Sequence, residues 1–184
     1  MKHYIEDFIK LKCASELLAW KLFPNAKEIT ESFAAFHGVI NMIMPKMNSQ
    51  TNPISYNSEN VKLISIADGY TPRTAALFAL RTKWDCYSID PVLRMNEYPI
   101  KRLTQINKKI EEVNLNFEND IIIIVSVHGH ATINNMLEHI HGKERYLLVI
   151  PCCVPQDIPN RPYIGFLDTN IWSDKKLVKV WLNI

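Results

Sequence analysis

The run Ile121-Ile122-Ile123-Ile124-Val125-Ser126-Val127 constrains this chain more than any other segment. A strand with one face in water alternates apolar and polar residues. This one is apolar on both faces, so both must be covered, as in a central strand of a parallel sheet packed between helices. The rest of the chain must then supply neighbouring strands and crossover connections.

Such neighbours are legible. Residues 61–67 form a short apolar, β-rich run that closes on Asp68-Gly69, followed by a helical stretch over 72–83. Residues 86–89 end at Asp90-Pro91, and 103–110 alternate weakly as a third strand. A helix is expected over 132–141, then a strand over 146–150, and two strand-like stretches at 163–167 and 177–182 close the chain. Strand, turn, helix, strand in this order predicts an α/β fold with a parallel sheet wound with helices. A chain of 184 residues is long enough for one sizeable core.

The N-terminal part reads differently. Ile5, Phe8, Ile9, Cys13, Leu17 and Trp20 recur at three- and four-residue spacing and predict one apolar helical stripe. Pro24-Asn25 breaks it. Asn25 can cap a second helix, with Glu28 three residues on completing a capping box and Ile29, Phe33, Phe36, Ile40 and Ile43 as its buried face. Residues 45–60 are polar, hold Pro45 and Pro53, and read as a linker. The expected organisation is an N-terminal helical segment, 1–48, packing on an α/β unit, 61–184. Trp20, Phe33, Phe36, Trp172 and Trp181 read as packing residues.

A net charge of +2, with 22% charged and 47% apolar residues, carries no strong nucleic-acid signature and suits a globular protein. No apolar run approaches the roughly 20 residues of a membrane-spanning helix. The first residues mix acids and bases without an apolar stretch, so no secretory signal is expected. Cys13, Cys86, Cys152 and Cys153 fit no disulfide framework, which points to a reduced, cytoplasmic compartment.

In an open parallel sheet, ligands bind outside the carboxyl ends of the strands where strand order reverses. The residues falling there are Asp68-Gly69, Asp90, Glu111-Glu112, His128-Gly129-His130 and Pro151-Cys152-Cys153. Thr71 is expected to cap the helix after the first loop with Pro72 at its first position, leaving open N–H groups for an anion. Asp90, about 20 residues past the glycine turn, suits ribose hydroxyls, or simply starts a turn. His128 and His130, two apart at a strand end, can serve as general base, metal ligand, hydrogen-bond donor or backbone-satisfied structural residue. With Cys152 and Cys153 they offer zinc donors, although adjacent cysteines fit one ion poorly, and no metal site is expected.

The segment Ile64-Ser65-Ile66-Ala67-Asp68-Gly69-Tyr70-Thr71, then Asp90, then 121–130 resembles the nucleotide half of class I S-adenosylmethionine-dependent methyltransferases. The resemblance covers about residues 61–184 and implies a mostly parallel Rossmann-like sheet with an antiparallel closing hairpin. It implies S-adenosylmethionine as a small-molecule cofactor, its methionine part held by Asp68, Gly69, Tyr70 and Thr71 and its ribose by Asp90. Glu111 or Glu112 would lie near the adenine, and His128 and His130 at the catalytic position. The strings Val127-His128-Gly129-His130-Ala131 and Pro151-Cys152-Cys153 are similar to a subgroup of RNA-modifying methyltransferases. The glycine loop is reduced to one glycine, and no acceptor substrate is legible. Three functions follow: a methyltransferase; a non-catalytic interaction module on the same scaffold, marked by Tyr70 or Arg73 filling the cofactor space; or another enzyme, binding nucleotide or phosphate through Arg73 and the helix start, or metal through the histidines.

Overall fold

The structure, a computed structural model, describes residues 3–47, 54–152 and 162–184. Its centre is a seven-stranded sheet in the order β3-β2-β1-β4-β5-β7-β6. The strands are β1 (Val61–Ile66), β2 (Asp85–Ile89), β3 (Leu103–Ile106), β4 (Leu115–Val127), β5 (Ile140–Ile150), β6 (Ile164–Leu167) and β7 (Leu177–Trp181). The first five pair in parallel, while β7 runs antiparallel to both β5 and β6. Strand order reverses between β1 and β4, which opens a crevice at their carboxyl ends.

The expected double burial of the apolar run is met residue by residue. Ile121, Ile123, Val125 and Val127 enter the core on one face of β4, and Ile122 and Ile124 the core on the other. The first face is covered by α5 (Arg73–Arg81) and by the N-terminal helices α1 (Tyr4–Ile9), α2 (Ala14–Ala19), α3 (Ala26–Gly38) and α4 (Met44–Met47). The second face is thinly covered, by α6 (Ile133–His139) and the 3-10 turn Ile110–Glu112. The β2–β3 connection carries no helix and the β3–β4 connection is too short for a crossover helix, while α3 packs on α5, β4, β5 and β7.

Several boundaries differ from expectation. The first N-terminal stripe is two short helices, and Ile9 faces water. Helix α3 runs into a π-helical turn, Val39–Ile43, which changes the phase so that Val39 and Ile43 are fully buried while Ile40 is only partly so. Gly38 makes this possible, since a Cβ there would collide with Leu148 Cδ1 of β5. Strands β4 and β5 begin earlier than their apolar runs, because Leu115–Phe117 pairs with Ile140–Gly142 below a bulge. The third strand stops at Ile106, and the helix of 72–83 begins at Arg73 and ends at Arg81. Trp181 is buried as a packing residue, but Trp172 is largely exposed. Among the described residues no helix is long and apolar enough to cross a membrane.

Truncating Ile123, fully buried on the central strand, should cost about 2–5 kcal/mol as Ile123→Ala. Leu167→Ala, at a position 71% exposed, should stay within about 0.5 kcal/mol. Urea unfolding of the two variants checks the contrast.

Candidate functional site

A cavity of about 480 Å³ lies at the reversal point, within the range of small-molecule sites. Its walls come from four strand ends: Ile66 and Ala67 after β1; Ile89, Asp90 and Pro91 after β2; Lys108 to Glu111 after β3; and His128, His130 and Ala131 after β4. Two strand ends leave their strands by left-handed residues, Ala67 at φ 62° and His128 at φ 55°. These kinks bring the two loops together, and Gly129 sits in the join. A Cβ on Gly129 would strike the Ser126 hydroxyl and stand 3.0 Å from the Ala67 methyl.

The first loop is held by its own carboxylates. Asp68, almost fully buried, accepts from the Thr74 and Ala75 amides at 2.9 and 3.1 Å and from the Ser88 hydroxyl at 3.1 Å. It thus caps α5 from six residues upstream. Thr71 is not the cap: Pro72 holds that position, and the Thr71 hydroxyl donates to the Leu22 carbonyl instead. The helix start therefore offers no open Thr74 or Ala75 amide to an anion. Asp90 accepts from the Gly69 amide at 2.9 Å and the Val92 amide at 2.8 Å, so its carboxylate is fixed at the cavity wall.

Of the residues selected from sequence, Asp90, Glu111, His128 and His130 come together on the cavity, and Asp68, Gly69, Tyr70, Thr71 and Glu112 are not among its walls. Glu111 accepts from the Asn135 side chain at 2.6 Å. Tyr70 is exposed, with the Arg94 guanidinium over its ring. Arg73 is turned inward, donating to the Asp68 carbonyl and pairing with Glu28 at 2.7 Å, which removes it as an open phosphate ligand. Among the described residues no group of three His, Cys, Asp or Glu side chains could hold a metal ion; Cys153 lies outside them.

Helix α3 brings groups that were not expected. Asn25 caps it by accepting from the Glu28 amide at 3.1 Å, but the Glu28 carboxylate reaches Arg73 rather than completing a capping box. Three residues on, Glu31 is fully buried and meets His128 Nε2 at 2.9 Å and Lys27 at 3.4 Å. Burial acts to raise the Glu31 pKa, but the hydrogen bond and charge of His128, then Lys27, outweigh it and hold the carboxyl below its ordinary range. The ionised carboxylate must accept from Nε2–H, so a neutral His128 carries its lone pair on Nδ1, which has no partner among the described residues. A signal did exist in the sequence. Glu31, Ala35 and Gly38 fall at i, i+4 and i+7, an acid on a stripe of small residues that lets the sheet approach closely.

No family model matches the chain, and no curated protein does. Among solved structures it is similar to a mutant 16S rRNA (adenine(1408)-N(1))-methyltransferase from Catenulisporales acidiphilia with cosubstrate S-adenosylmethionine, at 13% identity and TM-score 0.49, over 69% of this chain and 86% of that one. It is also similar to a mutant of MtNAS in complex with S-adenosylmethionine, at 10% identity and TM-score 0.51, over 98% of this chain and 71% of that one.

A depressed carboxyl stabilises the fold fully above the ordinary glutamate pKa and loses that contribution as pH falls through the folded value. Urea unfolding from pH 7 to pH 3 should show the wild type losing its advantage over Glu31→Gln below about pH 4.5. At neutral pH, Asp68→Ala should cost about 1–2 kcal/mol by uncapping α5.

Proposed function

We infer that this Rossmann-like fold, with the chain's own N-terminal helices laid over one face, is of the class I S-adenosylmethionine-dependent type. We propose that its crevice takes the nucleoside end of an S-adenosyl cosubstrate and that the protein is a small transferase. The observation that carries this reading is Asp90: a buried acid, fixed by two amides, on the wall of a cavity at the strand-order reversal.

The fit of such a group differs between its two ends. Each Asp90 oxygen takes one amide and keeps a second lone pair for a ribose hydroxyl. Ile89, Pro91, Ile110 and Ala131 offer apolar walls to a purine, and Glu111 stands beside them for an exocyclic amine. The amino-acid end finds no such reception, since the Asp68 carboxylate is spent on α5 and Arg73 on Glu28.

A sulfonium cosubstrate supplies an electrophilic carbon and a good leaving group. The chain's part is to orient and to move a proton. His128 Nδ1 is the atom for that task, with Glu31 holding the ring and stabilising the imidazolium that forms, the logic of a histidine oriented by a carboxylate. His130, exposed on the same wall, is the second candidate. The reading as a non-catalytic module rests on one observation, the Arg73 side chain lying against Gly69, where a Cβ would meet its Nη1 at 2.6 Å.

Calorimetric titration with adenosine, S-adenosylmethionine and S-adenosylhomocysteine should show saturable binding of at least one, weakened by about tenfold or more in Asp90→Ala, the loss of charge-assisted hydrogen bonds. Folded protein that binds none of them would favour the module reading.

A further inference from the structure

The carboxyl edge is asymmetric in what it offers a ligand, and the asymmetry bears on the chemical class of the cosubstrate. A nucleoside with its ribose on Asp90 and its base toward Ile110 and Glu111 directs its 5′ substituent toward Ala67 and His128. The first-loop groups that would receive the end of that substituent are already engaged, and the polar groups left on this side are the imidazoles of His128 and His130. The amides of Ala67, Gly69, Arg73, Thr74, Ala75 and His128 are all bound inside the protein, to Ile89, Asp90, Thr71, Asp68 and Ile150. The loop's one cation, Arg73, is 13% exposed and neutralised by Glu28. Behind His128 stands Glu31, fully buried, whose Oε2 makes no hydrogen bond of normal geometry among the described residues.

Resting on the reading of the crevice as a nucleoside site, we propose that it takes adenosyl-sulfur compounds whose sulfur substituent carries no carboxylate, and disfavours those with an intact amino-acid tail. A carboxylate placed there would be desolvated with no first-loop donor to receive it and two acids nearby, the arrangement that rejects a ligand rather than binds it. A neutral tail meets no such penalty. A terminal ammonium gains, because the Nδ1 lone pair of His128 is an unpartnered acceptor on the cavity wall, with the Glu31 carboxylate behind it.

Three probes share the nucleoside and differ only in the tail: 5′-methylthioadenosine (neutral), S-adenosyl-3-thiopropylamine (cationic) and S-adenosylhomocysteine (zwitterionic). In calorimetric titrations the first two should bind about tenfold or more tightly than the third. Glu28→Gln releases Arg73 and should tighten S-adenosylhomocysteine by about fivefold while leaving 5′-methylthioadenosine within about twofold. Glu31→Gln should weaken the amine more than the methyl compound. Equal or tighter binding of S-adenosylhomocysteine to the wild type overturns the tail selectivity and leaves the nucleoside site standing. Binding of none of the three to folded protein overturns both. A Glu28→Gln protein that is folded by circular dichroism yet unchanged toward S-adenosylhomocysteine overturns the role given to the Arg73–Glu28 pair.

Discussion

A buried carboxylate on the N-terminal helix α3, Glu31, meets a histidine at the end of the central strand, His128, and the carboxyl edge of the sheet is tied to that helix through the contact. An ionised group so far from water is tolerated only if its partners are close and well oriented. His128 and Lys27 meet that condition, and in doing so they tie α3 across the strand ends. The Arg73–Glu28 pair and the Ser32–Thr74 hydroxyl contact make the same connection one strand over. The N-terminal helices thus hold the residues behind the crevice wall rather than hanging as an appendage to the sheet.

This docking covers β4, β5 and β7 on one face of the sheet. Phe33, Ala34, Ala35 and Phe36 of α3 join the core beneath the sheet, where Phe36 also packs on Phe78 of α5. Small side chains at Ala35 and Gly38 allow the close approach, and the π turn after Gly38 keeps Val39 and Ile43 inside. The energetic consequence is that the sheet and the helices form one continuous core on that face. The chemical consequence is that two acids arrive where the crevice's loop has its only arginine.

Much of the sheet was legible because periodicity reports burial directly. The apolar run of β4, the strand-end positions of Asp90 and His128, and the two closing strands all follow from local pattern. What escaped was set by tertiary contacts. Thr71 has the chemistry of a helix cap, but Asp68 reaches the Thr74 and Ala75 amides from further back and displaces it. Glu28 has the spacing of a capping box, but an arginine in reach is a stronger partner than an exposed backbone amide. Glu31 was invisible to a search of strand ends, because its role comes from where α3 docks. Ile9 and Trp172 fit apolar patterns and face water, since an apolar residue need not be inside.

The most direct test of this account is a crystal structure of the protein soaked with 5′-methylthioadenosine. The predicted result has both ribose hydroxyls on Asp90, the purine between Ile89 and Ala131, and the Glu31–His128 and Arg73–Glu28 contacts intact. A nucleoside bound elsewhere, or one that enters only after Arg73 has left Glu28 to open the first loop, would contradict it.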